Sequence, residues 1–122
     1  MKTIHVICEG QSEANFVNKV LNAYFLGIEK ILIPVIVVTR TDRHAGRQYK
    51  GGMRYFSAAE NTLKKRLPLL ATSDVFITTL FDFYALPSDT PGMEQIKMLS
   101  NPYDKVATLE HALYDKYPQY KF

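Results

Sequence analysis

The chain has a single cysteine, Cys8, so no internal disulfide is open to it. That absence points to a reducing compartment and leaves the fold to rest on burial alone. No apolar run approaches the roughly 20 residues needed to cross a bilayer. The N-terminus lacks the basic, apolar and small-residue succession of a secretory leader, because its first apolar stretch, Ile4 to Cys8, is only strand length. The three histidines, His5, His44 and His111, are scattered, and none pairs with a cysteine or carboxylate at zinc spacing. Internal repeats, low-complexity tracts and linkers are lacking too. The expectation is a single cytoplasmic domain over residues 1–122 with no membrane association.

What is present suits a packed core. The 122 residues are 47% hydrophobic and 22% charged, too apolar for a disordered chain. The formal net charge of +3 is mild, but it is unevenly placed. Arg40, Arg43, Arg47, Lys50 and Arg54 are a third of the 15 Lys and Arg, set with His44 against one acid, Asp42. Focused charge of this kind attracts phosphate better than the net value suggests.

Hydrophobic patterning gives the order of elements. Thr3 to Cys8 is β-branched and nearly continuous in apolar residues, as in a strand buried on both faces. Glu9-Gly10-Gln11-Ser12 ends it. Ser12 is expected as an N-cap and Glu13 as a first-turn acid, opening a helix over about residues 12–26. Ile31 to Thr39 reads as a second strand, placed at a sheet edge by Pro34, which cannot donate to a ladder. The basic segment reads as a loop ending in Gly51-Gly52. A second helix is expected over about residues 53–67, with Phe56, Ala59, Leu63 and Leu67 on one stripe. Asp74 to Phe81 reads as a third strand, and Pro87 to Gly92 as a loop. A short helix is expected near Met93 to Leu99, and Asn101-Pro102 opens a last helix carrying Val106, Leu109, Leu113 and Tyr117 on one side.

Alternating strands and helices of this length imply an α/β fold, a three-layer α/β/α arrangement around a mostly parallel sheet. The chain ends directly after a helix, where such a domain normally returns another strand. The expectation is therefore a domain lacking its C-terminal part, with an exposed sheet edge and a tendency to form homo-oligomers.

In open parallel sheets, ligands sit beyond the carboxyl ends of the strands. Glu9 follows the first strand and Asp82 the third, with Glu13 in the first helical turn. Carboxylates gathered at one rim repel one another unless a cation neutralises them, and Mg²⁺ favours few carboxylates plus water and substrate phosphate. Each acid also has an ordinary reading. Glu9 suits a polar turn, Glu13 the helix dipole and Asp82 a strand-end cap. Cys8 reads as a small buried residue and Tyr84 as packing. Gly51-Gly52, at the expected start of the second helix, offers backbone N–H groups to a phosphate, with Tyr49 and Tyr55 available for base stacking.

Ile7-Cys8-Glu9-Gly10-Gln11-Ser12-Glu13, followed by Phe16, resembles the first motif of Toprim domains, as in OLD-type nucleases, topoisomerases and primases. Leu80-Phe81-Asp82-Phe83-Tyr84 occupies the place of the Toprim Asp-x-Asp motif. Thr78 to Tyr84, with Leu86-Pro87 and Pro91-Gly92, looks still closer to an uncharacterised bacterial Toprim-like family often found beside ATPases. The resemblance implies Glu9 as the catalytic proton-transfer residue and Asp82, with Glu13, as ligands of Mg²⁺ or Mn²⁺. It implies a Mg²⁺-dependent nuclease or other phosphoryl-transfer domain, with Arg40, Arg43, Arg47, Lys50, Gly51, Gly52 and Arg54 holding the nucleic-acid backbone. Tyr84 stands where the second aspartate belongs. That departure supports the alternative, a non-catalytic binding or regulatory module that partners an ATPase. A nucleotide or flavin binder on the same topology ranks last, because the first turn is not glycine-rich.

Overall fold

In the computed structural model, residues 1–42, 46–50 and 52–118 are described. The element order is β1 (Lys2–Cys8), α1 (Gln11–Phe16), a π-helical turn (Val17–Leu21), α2 (Asn22–Leu26), β2 (Lys30–Ile36), β3 (Val38–Asp42) and β4 (Arg47–Lys50). It continues with α3 (Ser57–Arg66), a 3₁₀ turn (Leu67–Ala71), β5 (Val75–Leu80), a second 3₁₀ turn (Phe83–Ala85), α4 (Met93–Ile96) and α5 (Pro102–Lys116). No helix among the described residues is long and apolar enough to cross a membrane.

β1, β2 and β5 form one parallel sheet in the order β2-β1-β5. β1 holds the centre because its apolar residues face both ways: Val6 and Cys8 toward one helical layer, Ile7 toward the other. On the first side Val6, Cys8, Val17 and Leu32 pack together, with Leu21 and Phe25 from the helical stretch after Gly10. On the second, Ile7, Val37 and Ile77 meet Phe56, Ala59 and Leu63 of the α3 segment and Tyr117 just after α5. Burying side chains of this size stabilises the fold by roughly 1.5–3 kcal/mol each. The Phe56 and Phe81 rings meet edge to face at 6.4 Å, and Lys116 of α5 bonds Glu60 of α3. Two layers of helix thus enclose a parallel sheet, the α/β class expected from the pattern.

Several boundaries differ from expectation for identifiable reasons. The second strand stops at Ile36, and Val38–Asp42 pairs antiparallel with Arg47–Lys50 as a separate two-stranded sheet. The basic segment is therefore a hairpin, with Gly46 at φ +64° opening its return strand. α3 begins at Ser57, after the N-cap Phe56, whose N–H is taken by Asp89 Oδ1 at 3.0 Å. Ser12 is not an N-cap: Gly10 caps the first helix, and Glu13 Oε2 accepts from the Gly10 N–H at 3.0 Å. Asn101 does cap α5, its side chain accepting from the Tyr103 N–H at 2.9 Å. Pro34 sits on an edge strand, opposite Val6, as its missing N–H requires.

Candidate functional site

The register sets the site. β1 and β5 run parallel with Cys8 opposite Leu80, so Glu9 and Asp82 leave neighbouring strands at the same carboxyl end. The Val37 N–H donates to the Cys8 carbonyl, and the Gly52 N–H donates to the Glu9 carbonyl at 3.2 Å. The far end of the basic hairpin is thereby fastened to the same rim.

Three acids gather there, in different states. Glu13 is tied to the Gly10 N–H. Asp82 caps the 3₁₀ turn that follows β5, its Oδ1 accepting from the Tyr84 N–H at 3.0 Å. Both acids line one shallow groove of about 320 Å³ together with Ser12, Phe16, Leu80 and Phe81. Glu9 is half-buried, and its Oε2 is enclosed with no hydrogen-bond partner. Burial holds the Glu9 carboxyl above the usual carboxylate range. Backbone N–H groups of Met53 and Asp82 pull it back in part, while the Glu13 and Asp82 charges push it further up. Each acid at this rim therefore feels, or is felt by, another.

The donor set bears on which cation fits. Among the described residues, no three His, Cys, Asp or Glu side chains stand close enough to hold a metal together. A closed protein cage is excluded there, as zinc would demand. An open site of one or two carboxylates completed by water and phosphate remains consistent, and that is the Mg²⁺ habit. The enclosed, unpartnered Glu9 Oε2 beside two further acids fits such a group.

The remaining expected site residues divide. Gly52 has φ +70°, but α3 starts only at Ser57, so its N–H is spent on the Glu9 carbonyl and not offered from the helix start. Arg54 is exposed, its guanidinium 5.6 Å from the Tyr55 ring, which is itself exposed. Arg40, Arg47 and Lys50 lie on the two hairpin strands. Arg43 and Gly51 lie outside the described residues. Tyr84 does not pack: it is 89% exposed at the rim, its ring 5.2 Å from that of Phe83 in a T-shaped contact. Cys8 is fully buried, its Sγ donating to the Val6 carbonyl, and burial with the Glu13 charge pushes its thiol up to about 11. It is no nucleophile at neutral pH.

Sequence reasoning passed over Phe16 as a wall of the acidic groove, and Met53 as a backbone donor toward Glu9. Phe16 follows Glu13 by three residues, and that spacing places the two on one helix face. Nothing local marks Met53.

Fold and rim together define an α/β domain with a parallel sheet and a carboxylate cluster at its strand ends. The chain belongs to the family described as Domain of unknown function (DUF4276), whose profile matches residues 8–121. No curated protein and no solved structure matches it.

Proposed function

We propose that this chain is a metal-assisted phosphoryl-transfer domain acting on nucleic acid, in the manner of the Toprim nucleases its motifs resemble. The observation that carries the reading is Glu9: a half-buried acid with an orphaned oxygen, charge-coupled to Glu13 and Asp82. A fold does not keep like charges together in a desolvated place for its own stability. Asp82 and Glu13 would hold a Mg²⁺ or Mn²⁺ ion through the oxygens not engaged in capping. When bound, such an ion polarises a phosphate oxygen and stabilises the leaving oxygen. Glu9, whose affinity for a proton is raised toward the working pH, exchanges the proton of the attacking or leaving group. The basic hairpin with Arg54 and Tyr55 steers and holds the phosphate backbone beside the rim.

The test combines binding with turnover. Mn²⁺ titrated calorimetrically binds the wild-type chain, and Asp82→Asn weakens that binding. Oligonucleotide cleavage with Mg²⁺ or Mn²⁺ is lost in Glu9→Gln and Asp82→Asn while circular dichroism is unchanged. Equal cleavage by those variants removes the catalytic assignment.

One observation favours a second reading. Tyr84, exposed where a second metal-binding aspartate is expected, is a neutral phenol and a poor Mg²⁺ ligand. A non-catalytic module that partners an ATPase follows if Mn²⁺ gives no heat of binding.

A further inference from the structure

Between the end of β4 and the start of α3, residues 52–56 belong to no helix or strand; Met53 and Phe56 are buried there, Arg54 and Tyr55 exposed. A segment of this kind keeps its place through the partners its N–H groups find. At one end the Gly52 N–H donates to the Glu9 carbonyl at 3.2 Å, and the Met53 N–H meets the Glu9 carboxyl. At the other end the Phe56 N–H donates to Asp89 Oδ1 at 3.0 Å, from a part of the chain 33 residues further on.

Asp89 is itself held for this contact. In a capping box, the third residue of a helix returns a carboxylate or amide oxygen to the N–H of the capping residue. That position in α3 is Ala59, which has nothing to return, and a carboxylate from another segment takes its place. The turn carrying Asp89 is fastened by its own bonds. The Thr90 N–H and Oγ1 both donate to the Pro87 carbonyl, at 3.1 and 2.7 Å, and the Met93 N–H donates to the Thr90 carbonyl at 3.1 Å. Gly92, at φ +88°, lets the turn lie against α5, where a Cβ would stand 2.9 Å from Ala112 Cβ.

Both fastenings act on one short piece of chain. The step from Met53 to Phe56 spans no more than about 10 Å at full stretch, so the Asp89 contact limits how far the Met53 N–H can drift from Glu9. The Phe56 ring, seated by the same contact, meets the ring of Phe81, the residue before Asp82, edge to face at 6.4 Å. We propose that Asp89 is a positioning residue for the rim: by holding the Phe56 N–H it keeps the Met53 N–H on the Glu9 carboxyl. The consequence for turnover rests on the reading of Glu9 as the proton-exchanging group; the placement itself does not.

Amide hydrogen exchange of the full chain by NMR tests this, with turnover as a second readout. Asp89→Ala speeds exchange at Met53 and Phe56 by roughly tenfold or more relative to the core amides of Val6 and Ile7. Asp89→Asn, which keeps an oxygen to accept from the Phe56 N–H, leaves both near wild type. Asn101→Ala removes the ordinary cap of α5 and leaves Met53 unchanged relative to the same core amides. In a preparation that cleaves, Asp89→Ala lowers kcat by roughly 10- to 100-fold with KM unchanged, and Asp89→Asn restores it. Acceleration confined to Phe56 and the first turn of α3 would make Asp89 a local cap and overturn the proposal. So would equal acceleration at Met53 in Asp89→Asn or in Asn101→Ala. A chain that cleaves nothing removes the proposed function, and exchange at Met53 still decides for or against the placement.

Discussion

The turn after β1 and the turn after β5 are built alike, yet only the first holds an acid with an enclosed oxygen left without a hydrogen-bond partner. After β5, Asp82 fixes the Tyr84 N–H and so starts the 3₁₀ turn. After β1, Glu13 does the same service for the Gly10 N–H at the head of α1. Such contacts are ordinary capping, and a short polar side chain at a strand or helix end is explained by them. The Glu9 carboxyl takes backbone N–H groups of Met53 and Asp82, yet its Oε2 is enclosed, unpartnered and near two other acids. Capping and function can therefore be separated by substitution within a single rim.

The largest expected effect is on turnover. Glu9→Gln keeps the shape and removes the proton-exchanging group, so cleavage by an active preparation falls by roughly 10²- to 10⁴-fold. The melting temperature near neutral pH rises in the same variant, because the repulsion at the rim is relieved. A fall in both would make Glu9 a structural residue like its neighbours. Next comes the cap after β5. Asp82→Ala lowers stability by about 1 kcal/mol, whereas Asp82→Asn, still able to accept from the Tyr84 N–H, loses little. Denaturant titration of the pair separates the cap from the charge. Glu13→Ala costs about 0.5–1 kcal/mol for the lost helix-start contact, and Glu13→Gln less.

The pH dependence sharpens the contrast further. The folded chain holds the Glu9 proton at pH values where the unfolded chain, with an ordinary carboxyl near 4.5, has released it. The stability this group contributes is complete below that value and lost as pH rises through the raised one. Glu9→Gln removes that decline from a series of thermal melts; an identical slope in wild type and variant would contradict the assignment. The smallest effect concerns Cys8, which should stay unmodified by an aromatic disulfide reagent until the chain unfolds, since its thiol is buried and pushed up to about 11.

Legibility followed burial. β1 and β5 were evident as β-branched runs because strands packed on both faces carry continuous apolar sequence. The stripe Phe56, Ala59 and Leu63 likewise marked the inner face of α3. The hairpin was hidden, because Val38 to Asp42 and Arg47 to Lys50 alternate charged and polar residues that read as a solvated loop. The cue was a glycine, Gly46, between two short segments of strand-like sequence. Asn22, lodged mid-helix just after the π-helical turn, gave no hint that its amide would close the β2 edge. At the rim, the strand-end positions of Glu9 and Asp82 were readable from the order of elements. Which acid was satisfied was not, since that depends on where Gly10, Met53 and Tyr84 aim their N–H groups.

Everything functional rests on one cation being shared at the rim, and paramagnetic broadening of backbone amide signals by Mn²⁺ reports that directly. Signals of Glu9, Glu13 and Asp82 should broaden first in the wild-type chain and stay sharp at the same Mn²⁺ concentration in a Glu9→Gln/Asp82→Asn double variant. Broadening that begins elsewhere, or that persists at the rim of the double variant, would contradict it.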